Sequence, residues 1–105
     1  MYKIPLTSIP NQSISFNLDG AYWQLHIYQA VSQMYADITR NSEVVIQGVR
    51  CLSGIGLMPY RYMHAPNFGN FIFDNDTDWT AFGNSCNLYY LTADEYSEYT
   101  DLASV

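Results

Sequence analysis
Basic residues are scarce in this chain: Lys3, Arg40, Arg50 and Arg61 are the only four among 105 positions, against ten Asp and Glu, for a net charge of −6. Nucleic-acid affinity rests largely on clustered Lys and Arg that displace counterions from phosphates. DNA and RNA are therefore not expected as partners. All four bases precede position 62, whereas Asp74, Asp76, Asp78, Asp94, Glu95, Glu98 and Asp101 follow it. The acidic C-terminal half would favour a basic protein surface, but an ordinary solvated face is the reading placed first. Cysteine is nearly missing. Cys51 and Cys86 stand 35 residues apart with no CxxC pair and no neighbouring His, which excludes a disulfide framework and predicts buried free thiols. No apolar run reaches the 18 residues of a membrane span, and MYKIPLTSIP lacks the charged segment and apolar core of a signal peptide. The expectation is a chain made and kept in a cytoplasm, with no membrane partner.

What is present is apolar and aromatic. Hydrophobic residues make up 49% of the chain and Tyr alone accounts for ten positions, enough to offset chain ordering in one domain of this length. Alternation sets the architecture. Ile14, Phe16 and Leu18 alternate with Ser13, Ser15 and Asn17, and Asp19-Gly20 then marks a tight hairpin. On the return strand Trp23, Leu25 and Ile27 fall on a core face, opposite Tyr22, Gln24, His26 and Tyr28. SQMYADITR repeats the pattern, Arg40-Asn41-Ser42 reads as a turn, and EVVIQGVRCL follows as a strand whose Gly48 suggests a bulge. Further strands are expected at NFIFD and CNLYYLT, and around Leu57 to Met63 either a short strand or a loop with exposed Tyr. The prediction is an all-β antiparallel sandwich or barrel of about 6–8 short strands, with one helical turn near residues 77–82. Residues 1–92 form the β domain, and residues 93–105 an acidic tail that is frayed or ordered only against a neighbour.

The motifs that invite a chemical reading fail on spacing. FDNDTDWTAF places Asp74, Asp76 and Asp78 at alternate positions, as a calcium loop would, but Trp79 and Ser85 stand where such a loop needs Gly and Glu. A polar turn in which Thr77 or Asp78 caps the following helical turn accounts for the same residues. Cys86 and His64 are the one Cys/His pairing to consider, and nothing in the sequence brings them together. LSGIG lacks the Gly-x-Ser-x-Gly order around Ser53, and Asp37 and Glu43 flank a turn where acids are expected anyway. No catalytic residue, metal or cofactor is assigned. A carbohydrate-binding module with Tyr22, Tyr28 and Tyr35 as its platform is the alternative from another class.

The order of several weaker pieces carries more. IPLTSIPNQSISFNLDG, the aromatic second strand, VIQGVRCLSGIGLM, FGNFIFDN and DWTAFGNSCNLYYL together resemble small phage tail proteins related to the baseplate plug of contractile-tailed cyanophages. The loop YRYMHAPN and the acidic tail depart from that pattern. The resemblance implies a virion structural protein, assembled in the host bacterial cytoplasm, that binds tail tube, hub and spike proteins in a homo-oligomeric ring and has no enzymatic activity. The expected contacts are Ile4, Leu6, Ile9, Tyr22, Tyr28, Tyr35, Tyr60, Tyr62, Tyr96 and Tyr99, with the segment around Ile4 to Ile9 and the tail as arms toward neighbours.

Overall fold
Strand alternation becomes two packed sheets in the computed structural model, which describes residues 2–58, 69–96 and 98. The strands are β1 (Tyr2–Ile4), β2 (Asn11–Leu18), β3 (Ala21–Ala30), β4 (Gln33–Arg40), β5 (Glu43–Arg50), β6 (Asn70–Phe73) and β7 (Leu88–Leu91). Every pairing between these strands is antiparallel. One sheet is a four-stranded meander in the order β2-β3-β4-β5, and the other has three strands in the order β1-β7-β6.

The period of two decides what lies between them. Trp23, Leu25 and Ile27 of β3 and Met34, Ala36 and Ile38 of β4 are buried, and they share one core with Phe71 and Phe73 of β6 and Leu88 and Tyr90 of β7. The Trp23 ring meets Phe71 edge-on at 5.1 Å and Tyr90 at 5.6 Å. Contacts of this geometry add about 0.5–1.5 kcal/mol each beyond the apolar area they bury. The Arg40 guanidinium lies 5.6 Å from the Trp23 ring centroid, a cation–π distance.

Three two-residue turns fold the meander. Asp19 and Gly20, Val31 and Ser32, and Asn41 and Ser42 all have positive φ, from +49° to +73°. Two successive left-handed residues match the twist of the flanking strands. The Asn41 side chain reinforces its own turn by accepting the Tyr22 N–H at 2.9 Å. On β5 the register against β4 shifts around Ile38, and Gly48 sits at φ +66° with its N–H on the Asp37 carboxylate at 2.7 Å. The expected bulge is there.

Four details go beyond simple alternation. The opening residues are held by the domain's own sheet: β1 pairs with β7, and Ile4 lies in the core at 5% exposure. Gln12, in phase with Ile14 and Phe16, is buried, because its amide donates to the Thr7 carbonyl at 2.7 Å and accepts the Thr7 N–H at 3.0 Å, closing the turn before β2. Leu57 and Met58 form a bend rather than a strand, with the Leu57 N–H on the Phe71 carbonyl, and residues 59–63 lie outside the described residues. The tail begins in order on its own domain. Thr92 and Glu95 exchange backbone and side-chain hydrogen bonds as a capping box, residues 93–96 are helical, and Tyr96 packs with Ile72 and Leu91 on the outer side of the smaller sheet.

Candidate partner-contact surface
The outward side chains of β2, β3 and β4 line up in rows because antiparallel register places them directly opposite one another. One row is Ser13, His26 and Asp37; the next is Ser15, Gln24 and Thr39. Together they line a shallow hollow of about 280 Å³ on the outer face of the four-stranded sheet. His26 is held on both sides: its Nδ1 lies 3.3 Å from Asp37 Oδ2 and its Nε2 lies 2.9 Å from Asn11 Oδ1. These two contacts fix the orientation of the ring from both of its nitrogens. Ser13, His26 and Asp37 occur in the order of a hydrolytic triad, yet Nε2 is engaged by Asn11, Ser13 makes no hydrogen bond to the ring among the described residues, and Asp37 also holds Gly48. The row is an anchored polar surface.

Beside it stands a column of rings. His26 stacks on Tyr28 at 4.8 Å, and Tyr28 stacks on its cross-strand partner Tyr35 at 5.9 Å. Partial burial, followed by the Asp37 carboxylate, pushes the Tyr28 phenol above its ordinary pKa. Sequence reasoning placed His26 on the wet side of its strand but missed its anchoring; the Asp19-Gly20 turn sets its register against Ser13, whereas its register against Asp37 depends on the Val31-Ser32 turn.

The ten expected contacts separate by burial. Ile9 and Tyr22 are exposed, Tyr28 and Tyr35 half-buried on the outer face, and Leu6 half-buried against the core. Ile4 and Tyr96 are buried within the domain. Tyr60, Tyr62 and Tyr99 lie outside the described residues, as does His64.

The acidic stretch is occupied by local work. Asp74 accepts the Asn87 N–H at 2.8 Å and closes the loop between β6 and β7. Asp78 caps the 3-10 turn Trp79–Ala81 by accepting from the Thr80 hydroxyl and N–H, and those bonds, the hydroxyl's first, hold its carboxyl below the usual range. Among the described residues no group of three or more His, Cys, Asp and Glu is placed to hold a metal ion. Cys51 and Cys86 are free and buried, as expected.

Two antiparallel sheets, an anchored polar face and an upright column of rings define a small all-β domain with a built surface. The family model described as the cyanophage baseplate Pam3 plug gp18 matches residues 1–94, and the chain belongs to that family. It is thereby a structural component of a phage tail baseplate. No curated protein matches the chain.

Proposed function
We propose that this domain acts as a non-catalytic plug between tail tube, hub and spike proteins, its copies arranged head to tail in a closed ring assembled in the host cytoplasm. The observation that carries the reading is the contrast between the two edges of the larger sheet. β5 is an interrupted edge, bulged at Gly48 and ending in Glu43 and Arg50. β2 pairs with β3 without interruption over its eight residues, NQSISFNL, which include no charge, Pro or Gly. Sheet edges left to solvent are normally blunted by charge, Pro or bulges. Among the described residues no strand pairs with the outer edge of β2. An unguarded, regular edge suits main-chain pairing with a neighbour. Ile9, Tyr22, Tyr28 and Tyr35 border this face as its side-chain contacts.

Lysines at Ser13 and Ser15, both exposed on β2, guard that edge without touching the core. The expected result is a variant that melts like the wild type but is lost from tails when it complements a phage lacking the gene. Normal incorporation of the double variant would remove β2 from the contact, and absence of the wild-type chain from purified baseplates would end the plug reading itself.

A further inference from the structure
The three hairpin turns of the meander demand the same backbone, two consecutive residues in the left-handed region, but they are filled differently. Asp19-Gly20 and Asn41-Ser42 open on residues that tolerate positive φ. The middle turn opens on Val31, a β-branched residue at φ +49° whose side chain is 94% exposed. A β-branched side chain in this region is a steric outlier, and full exposure returns no burial within the chain.

Val31 has company at its end of the sandwich. Pro10 accepts from Gln29, Cys51 donates to Met34, and Arg50 donates to Gln33 at 2.7 Å. These bonds gather the start of β2, the β3–β4 turn and the segment after β5. Ile9, Leu52 and Ile55, 40%, 40% and 57% exposed, therefore sit at the same end as Val31. The loop between β6 and β7 arrives there too, because the Thr77 hydroxyl donates to the Cys51 carbonyl and the Ser8 hydroxyl to the Phe82 carbonyl. It brings the exposed Asp74, Asp76 and Asp78, and Asp76 shares an open hollow with Leu52 and Ile55. Among the described residues Arg50 is the one base at this end, and it already donates to Gln33.

We infer that this end of the sandwich docks into an apolar socket with a Lys- or Arg-rich rim on a neighbouring baseplate protein, with Val31 as the inserted knob. The inference rests on the plug reading for where that neighbour resides. Charge selects the occupant. A second copy meeting this end with the same surface would bring its own three aspartates against these in a chain of net charge −6, whereas a basic rim complements them.

The test uses the whole chain in complementation of a phage lacking the gene, with Val31→Asn and Val31→Gly as probes. Both replacements suit the left-handed backbone, so each variant should melt at or above the wild-type temperature. Each should nevertheless enter tails roughly tenfold less well or worse, as loss of a buried anchor requires. Val44→Asn, at an exposed valine on β5 away from this end, should enter normally, and the pair Asp74→Asn and Asp76→Asn should reproduce part of the loss. Wild-type incorporation matched by both Val31 variants would overturn the socket while leaving the plug reading standing. A lowered melting temperature would overturn it by making Val31 a structural residue. Loss of self-association by the purified variants with normal incorporation would overturn it in favour of a second copy. Failure of the wild type to enter tails would overturn the plug reading and this inference with it.

Discussion
Asn70 shows how a single buried polar side chain does the work of a missing strand. It has no exposure, and its carboxamide accepts the Met58 N–H at 2.9 Å and donates to the Met58 carbonyl at 2.7 Å. It thereby supplies both hydrogen bonds that a neighbouring strand would give to that peptide. Asn70→Ala removes the carboxamide partner of the buried Met58 N–H and carbonyl and of the Phe71 N–H. Each such group costs about 1–3 kcal/mol, so the variant should lose about 3 kcal/mol of unfolding free energy in urea. Asn70→Asp should not restore it, since a carboxylate cannot donate to the Met58 carbonyl. Recovery of full stability by Asp would show that the clamp is not this bond pair. Gly69, the residue before, is held by a different constraint: its N–H donates to the Tyr90 hydroxyl at 2.8 Å, and a Cβ there would collide with the Leu91 carbonyl. Tyr90 in turn donates to Asp19 Oδ2 at 2.6 Å, which ties the smaller sheet to the first hairpin turn of the larger one.

Elements follow from alternation and turn chemistry, and this is where the sequence was legible and where it was not. β2, β3 and β4 could be read with their faces because polar and apolar residues alternate and Asp19-Gly20 fixes the phase. Gly48 is the clearest case. Its φ of +66° and the open space around it, with only the Tyr28 hydroxyl at 3.8 Å from a built Cβ, make any substitution there a test of backbone conformation alone. Gly48→Ala should cost about 1 kcal/mol, Gly48→Asn less and Gly48→Val more, read as shifts in the urea midpoint at constant slope. Equal cost for all three would mean that side-chain space, not φ, governs the site. The Val31-Ser32 turn was hidden because its first residue contradicts the turn rules. β1 was hidden because three residues followed by Pro5 give no period to count, and only the register Tyr2↔Tyr90 reveals its place. The helical start of the tail was visible in principle as Thr92 with Glu95 three residues on, but the acids around it and the weak periodicity led to a frayed or neighbour-ordered tail instead. The contact surface was legible in part: the outward Tyr side chains of β3 and β4 follow from the strand period, whereas the His26 anchoring needs cross-strand register.

At the scale of the whole molecule, the sandwich has made its titratable core depend on staying folded. Burial pushes the Cys51 thiol up to about 12, with the Cys86 thiol a smaller contributor. Burial raises Cys86 as well, with Asp74, Asp78 and Asp76 nearby adding to the rise against a backbone hydrogen bond that opposes it. The Tyr90 phenol is raised above the usual range by burial first and then by its hydrogen bond to Asp19. All three prefer the protonated form in the folded state. Unfolded thiols ionise above about pH 8.5 and unfolded phenols above about pH 10, so through that window the unfolded chain binds fewer protons than the folded one. Stability then falls as pH rises. Their contribution is fully present below about pH 8.5 and, for Cys51, is exhausted only near 12, where the folded thiol also ionises. Melting temperatures measured in reductant should therefore be insensitive to these groups between pH 7 and pH 8 and decline steadily from about pH 9 to pH 11. Cys51→Ala should flatten the first part of that decline while lowering the starting temperature, because it removes the titrating group and leaves a small cavity. The phenol part should persist in that variant, beginning near pH 10. A melting temperature that stays level from pH 8 to pH 11 would show that the two sheets admit water to these groups and that the core between them is looser than its packing indicates.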